Sequence, residues 1–352
     1  MPTWRDWAID AGMELFRASG VHRLAEPYTR GLGAILMFHR VRPRLEQSFE
    51  PNRGLEISPQ FLDSLLAHLR RRGYDLISLD AAVAHLRSGR APERPFVVLT
   101  FDDGYRDFAD FALPALERHG APFVAYVTSG FAGATARLWW VELEESMRRL
   151  DGIDVIAAGQ RFSRACRTPA EKGEAFADLY WLLREGGEEE LLRVAKALCA
   201  QAGVDSQRIT AGCCLDWRSL ERLARHELAT IGAHSVTHPR LAKLDASAAM
   251  REMFDSRAAI ERELGVEARH FCYPVGDPTS AGRREFEFAA ELKFDSAVTT
   301  RPGMIFGEHG AHLHALPRLS INGRHQTLEA IDVLLTGAPF ALMNRGRKVL
   351  AA

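Results

Sequence analysis

The chain has few of the features that mark a special environment. It holds only five cysteines, an odd number, and Cys213 and Cys214 are adjacent. Such a set suggests no disulfide framework, and reduced thiols in the cytoplasm are the expected state. An excess of charge is also missing. With a formal net charge of -1 over 352 residues, nothing points to nucleic acid or an anionic membrane as partner. No apolar run approaches the ~20 residues of a membrane span. A signal-peptide pattern is absent from residues 1–20, where Asp6, Asp10 and Glu14 interrupt every apolar run. A cytoplasmic location is therefore expected. Trp4, Trp7, Ile9, Met13, Leu15 and Phe16 can form one apolar face of a helix. Its polar face is not basic, so the helix is expected to pack on the domain.

What remains is an ordinary globular composition, 47% hydrophobic and 26% charged. Strand-like apolar runs alternate with helical patterns, which argues a parallel sheet with crossover helices. Residues 34–39, 74–79, 96–100, 122–128, 229–233, 270–274 and 295–299 read as strands. Ser58, Asp80 and Asp245 read as helix caps, and Pro114 is expected to kink its helix. Residues 133–214 break the rhythm with mostly helical pattern. Trp139 and Trp140 within them suit either core packing or a platform for sugar rings, because aromatic faces serve both.

Two stretches carry chemistry. Val97–Val98–Leu99–Thr100–Phe101 reads as a buried strand and breaks into Asp102–Asp103–Gly104. In parallel α/β proteins the strand C-termini open onto the ligand crevice. Two adjacent carboxylates repel when both are ionised, so a compensating cation is expected nearby. Gly232–Ala233–His234–Ser235–Val236–Thr237–His238–Pro239 supplies two imidazoles four residues apart, at the end of another apolar run. Two imidazoles and one carboxylate make a three-ligand metal site with open positions. Zinc is the first choice, and cobalt, nickel or iron fit the same donors.

Thr-Phe-Asp-Asp-Gly followed by His-Ser-x-x-His resembles the polysaccharide deacetylases with the NodB homology domain, the fourth carbohydrate esterase family, including chitooligosaccharide deacetylases. The resemblance runs from about Ala34 to about Ile331. It implies a distorted (β/α) barrel of seven strands. On that reading residues 1–352 form one domain, with an N-terminal helical extension at 1–33 and a helical insertion at 133–214. It also implies metal ligation by Asp103, His234 and His238, and Asp102 as general base. Phe271–Cys272–Tyr273–Pro274–Val275–Gly276 matches the third motif of the family, where the N–H of Val275 would serve the oxyanion next to Tyr273 and Pro274. The better-known members carry an arginine where this chain has Cys272, so the base must be oriented by another group. For the general acid the candidate is His314, and Arg318 would contact substrate or a carboxylate. His39, ending the first strand, is the candidate to replace the missing arginine beside Asp102.

The activity implied is that of a hydrolase acting on carbon–nitrogen bonds other than peptide bonds. The reaction is metal-dependent N-deacetylation of N-acetylglucosamine-type oligo- or polysaccharides with release of acetate. O-acetyl ester hydrolysis, C–N hydrolysis of a small cyclic amide, and a carbohydrate-binding pseudoenzyme are the alternatives.

Overall fold

The computed structural model describes residues 12 and 14, residues 16–324 and residues 326–351. The apolar face expected from Trp4, Trp7, Ile9, Met13 and Leu15 lies outside them. The described residues hold twelve strands: β1 (Gly33–Phe38), β2 (Arg40–Val41), β3 (Glu56–Ile57), β4 (Asp75–Leu76), β5 (Phe96–Phe101), β6 (Phe123–Val127), β7 (Gly152–Ala157), β8 (Gln160–Ala165), β9 (Ala229–Ala233), β10 (His270–Cys272), β11 (Ser296–Val298) and β12 (Leu319–Ser320). Seven of them run in the order β11-β10-β9-β6-β5-β1-β12, all neighbours parallel, with β4 beside the start of β5. The segment entering β12 joins the two ends of this row. Leu316 donates its N–H to Ala297 O at 3.0 Å, and its own carbonyl accepts from Thr299 N–H at 2.9 Å. Three residues on, Leu319 pairs with Leu36 of β1. The sheet thus curls into a distorted (β/α) barrel, as expected.

Residue parity explains both its core and its mouth. Side chains alternate along a strand. In β5, Val97, Leu99 and Phe101 pack outward under the helices, while Phe96 and Val98 join Ile35, Val124, Tyr126, Cys272, Val298 and Leu316 inside. Both faces are buried, which is why these strands read as continuous apolar runs. The inward parity continues through Thr100 to Asp102. Gly232 of β9 is needed inside this ring, because a Cβ there would meet the Tyr126 ring at 2.5 Å.

Helix Pro59–Arg71 starts at Ser58, whose hydroxyl accepts from Phe61 N–H at 3.1 Å. Asp245 caps helix Ala246–Leu264 in the same way. Asp80 is not a cap. Ser78 takes that place for helix Leu79–Ser88, and Asp80 instead pairs with Arg269 and His270. Ahead of Pro114 the chain makes one wide π turn, Phe108–Ala112, before helix Leu113–Arg118. The widened turn meets the missing proline N–H without ending the helical path. Among the described residues no helix is long and apolar enough to cross a membrane.

Residues 133–214 hold helices Trp139–Arg149, Pro169–Glu185, Glu188–Ala202 and Ser206–Cys213 around a separate apolar cluster. They also hold an antiparallel hairpin, β7 with β8, which the mostly helical expectation did not include. Its signals are local. Ile153, Val155 and Ala157 are buried in strict alternation, and Ala158 and Gly159 both take positive φ (51° and 73°), as a two-residue hairpin turn requires. The segment returns to the barrel mouth where Leu215 N–H donates to Gly104 O at 2.9 Å.

Candidate active site

Asp102 and Asp103 follow β5 directly, and adjacent residues on a strand should face opposite ways. Asp103 escapes this by a left-handed backbone, φ 71°. Both carboxylates are thereby buried at the barrel mouth, each 3% exposed.

Asp102 is met by an internal cation. Arg318 approaches from just before β12 and grips the carboxylate as a fork, Nη1 to Oδ1 and Nη2 to Oδ2, both at 2.7 Å. The same guanidinium donates from Nε to Thr299 O at 2.9 Å and from Nη1 to Thr100 Oγ1 at 3.0 Å. Its Nη2 also lies 3.1 Å from Cys272 Sγ. The small Cys272 side chain leaves the space that this guanidinium occupies. Burial pushes the Asp102 carboxyl up, but Arg318 outweighs it and holds the group below the usual carboxylate range. Planar paired contacts of this kind are the strong form of ion pair.

Asp103 is met differently. Its Oδ1 lies 3.4 Å from His234 Nε2 and 3.3 Å from His238 Nε2, and it makes no hydrogen bond. The three donor atoms lie within 4.8 Å of one another. His234 donates Nδ1–H to Cys272 O at 2.7 Å, which fixes the tautomer and turns Nε2 toward Asp103. Burial opposes a charged imidazole at His234, yet Cys272 and Asp103 raise its pKa well above the ordinary value. The spot therefore favours positive charge. An unbonded buried carboxylate oxygen facing two imidazole nitrogens is the donor set of a divalent metal site, so the residues fit such a cation.

The loop carrying the histidines is strained and held. Ser235 and His238 both have positive φ, 62° and 61°. Ser235 Oγ accepts from His238 N–H at 3.0 Å. Glu252, from helix Ala246–Leu264, accepts the N–H groups of Val236 and Thr237 and the Thr237 hydroxyl, at 2.8, 2.9 and 2.8 Å. Trp140 closes the other side, 4.9 Å from the His238 ring, its indole N–H donating to Tyr105 Oη at 2.9 Å.

The remaining candidates fall into two groups. His39 follows β1 directly, beside Asp102 across the parallel pair, where Asp102 N–H donates to Phe38 O at 2.9 Å. His39 is half-buried, and its ring makes no hydrogen bond among the described residues. Burial pushes its pKa down against the pull of Asp103 and Asp102. Val275 has φ 62°, fixed by a tight turn in which Gly276 N–H donates to Pro274 O at 2.6 Å. Its own N–H has no partner among the described residues. The Tyr273 side chain is elsewhere: its hydroxyl donates to His314 O at 2.9 Å within the outer core. His314 is also outside the mouth. Its Nε2 bonds Phe294 O at 2.7 Å, and it lines a separate surface cavity with Arg283, Phe286 and His312. The Leu-His pair that suggested it sits in a short 3₁₀ turn, Leu313–Ala315, that aims the ring away from the mouth.

The model of the polysaccharide deacetylase family matches residues 89–171 and 175–290, more than half of the sequence. The chain belongs to that family. Among solved structures it is similar to the deacetylase PplD of Streptococcus pyogenes in complex with acetate, with a TM-score of 0.58 at 18% identity over 86% of this chain and 97% of that one. IcaB from Ammonifex degensii gives 0.54 at 16% identity over 86% and 96%. BC0361, a polysaccharide deacetylase from Bacillus cereus, gives 0.54 at 14% identity over 86% and 68%. At these identities the likeness is one of fold. No curated protein matches.

Proposed function

We propose that the protein is a metal-dependent N-deacetylase of N-acetylglucosamine-type oligo- or polysaccharides, releasing acetate. The observation that carries this is the division of labour in the Asp pair. One carboxylate is clamped and kept ionised by Arg318, and its neighbour faces two imidazoles. A divalent cation held by Asp103, His234 and His238, zinc by preference, would lower the pKa of a water and polarise the acetamide carbonyl.

The chain's own residues supply the rest. Asp102 takes the proton of the attacking water on the free lone pairs that Arg318 leaves on its oxygens. A carboxylate held low in pKa is a weak base but a ready acid, so Asp102 then returns that proton to the departing amine. The Val275 N–H donates to the oxyanion that forms on the carbonyl. Arg318, and not His39, holds the base; His39, on the inward side beside Asp102, is left to donate a hydrogen bond to the substrate.

Acetate release from chitooligosaccharide and from acetylated xylan tests the reading. It requires release from the first, lost on chelation and restored by added zinc or cobalt. Release from xylan alone would make the protein an O-acetyl esterase. Sugar binding with no turnover in either would make it a pseudoenzyme.

A further inference from the structure

Three tryptophans lie on the 133–214 segment near the mouth, and they differ in kind. Trp139 and Trp140 are 7% and 6% exposed, whereas Trp181 is 55% exposed. The two buried rings are packing. They link the mouth to helix Pro169–Glu185 through a run of ring contacts, from His238 to Trp140, Trp139, Tyr180 and Trp181, each between 4.9 and 5.8 Å. The run ends on an aromatic surface open to solvent.

Polar groups stand beside that surface. Arg184 is three residues after Trp181, so both lie on one flank of the helix. Arg184 reaches across to Asp277, Nη2 to Oδ2 at 2.9 Å. Asp277 is two residues past Val275, on the loop whose free N–H we place at the oxyanion. The flank bearing Trp181 therefore borders the same loop as the reacting carbonyl. The Arg240 guanidinium ties the end of this helix to the residues after His238, bonding the carbonyls of Arg184 and Gly186. The flank is thus braced against the mouth on two sides.

We propose that Trp181, Arg184 and Asp277 form a subsite for a distal sugar ring of an extended polysaccharide, whose acetylated unit lies at Asp102 and Asp103. An aromatic face covers the apolar C–H face of a pyranose, and the Asp277 carboxylate, 35% exposed, and the Arg184 guanidinium, 14% exposed, suit its hydroxyls. This rests on the deacetylase reading above and adds that the substrate is a chain, not a small cyclic amide.

The test compares metal-loaded wild type with Trp181→Ala and Trp181→Phe. Acetate release is followed on a dimer and a hexamer of N-acetylglucosamine. The hexamer-to-dimer ratio of kcat/KM should fall about ten-fold in Trp181→Ala and be largely restored in Trp181→Phe. An unchanged ratio overturns the subsite, and so does an equal loss on both oligomers with a lowered Tm. A shift in oligomeric state without a change in ratio would make this flank a contact between copies of the chain, which also overturns it. If wild type releases acetate from neither oligomer, the deacetylase reading fails by itself. The subsite is then decided by the Kd of the intact hexamer, which Trp181→Ala should weaken about ten-fold and must not leave unchanged.

Discussion

Asp102 and Asp103 are neighbours in the chain, equally buried, and stabilised in opposite ways. On one side of the mouth the protein builds its own cation into the core, and Arg318 closes on Asp102 with two 2.7 Å contacts. On the other it places two imidazoles around an unbonded carboxylate oxygen. The first arrangement is complete within the chain. The second leaves a donor set that a divalent cation would complete. The difference shows how one fold gives two adjacent acids different settings: the Arg318 side is paired and kept ionised, and the other side is left open. The left-handed turn at Asp103 is what allows both to face one mouth.

The comparison can be broken most sharply at the base. Asp102→Asn should lower kcat on the order of 10³-fold, because it removes the proton acceptor. Near-normal turnover would end the assignment. Arg318→Met comes next. It leaves a buried carboxylate unpaired, so urea unfolding should show a loss of about 3–5 kcal/mol. Turnover should fall on the order of 10²-fold while bound metal stays. Arg318→Lys should recover part of the stability and less of the turnover, because an ammonium cannot make the fork. If Arg318→Met is as stable as wild type, the pairing of Asp102 with Arg318 does not carry the stability assigned to it.

His39 sharpens the same side. His39→Ala should lower kcat by roughly ten- to a thousand-fold with metal content intact. Loss of metal in this variant would move His39 from the base to the ligand side. The smallest effect belongs to the open side. Glu252→Gln removes the charge that gathers three donors of the strained histidine loop. Zinc affinity, measured by titration, should weaken about ten-fold with little change in Tm. A Tm loss without a change in affinity would make Glu252 a helix–loop brace only.

Local order made much of this legible in the sequence. The run from Val97 to Gly104 and the stretch from Gly232 to Pro239 each hold a strand, a break and polar residues within ten positions, so period and motif found them. Parity along β1 and β5 likewise carries His39 and Asp102 to one side. What was hidden is what depends on distance. Arg318 lies 216 positions from Asp102, and sequence offered a carboxylate only as one of two partners for it. Only closure of the sheet through Leu316 and Leu319 brings it inside. His314 failed for the converse reason: it stands near Arg318 in sequence, but a 3₁₀ turn sends its ring to Phe294 O and a separate surface cavity. The hairpin at Gly152–Ala165 was written in the alternation of Ile153, Val155 and Ala157, and the flanking helical patterns obscured it. Asp80 has cap chemistry, yet Ser78 lies at the turn itself and the Asp80 carboxylate is drawn to Arg269 and His270.

The division between the two aspartates is tested most directly by the metal-to-protein ratio of Asp102→Asn and Asp103→Asn, purified side by side and loaded with zinc. Wild type and Asp102→Asn should each hold about one equivalent, and Asp103→Asn close to none. Equal retention, or equal loss, would contradict the account.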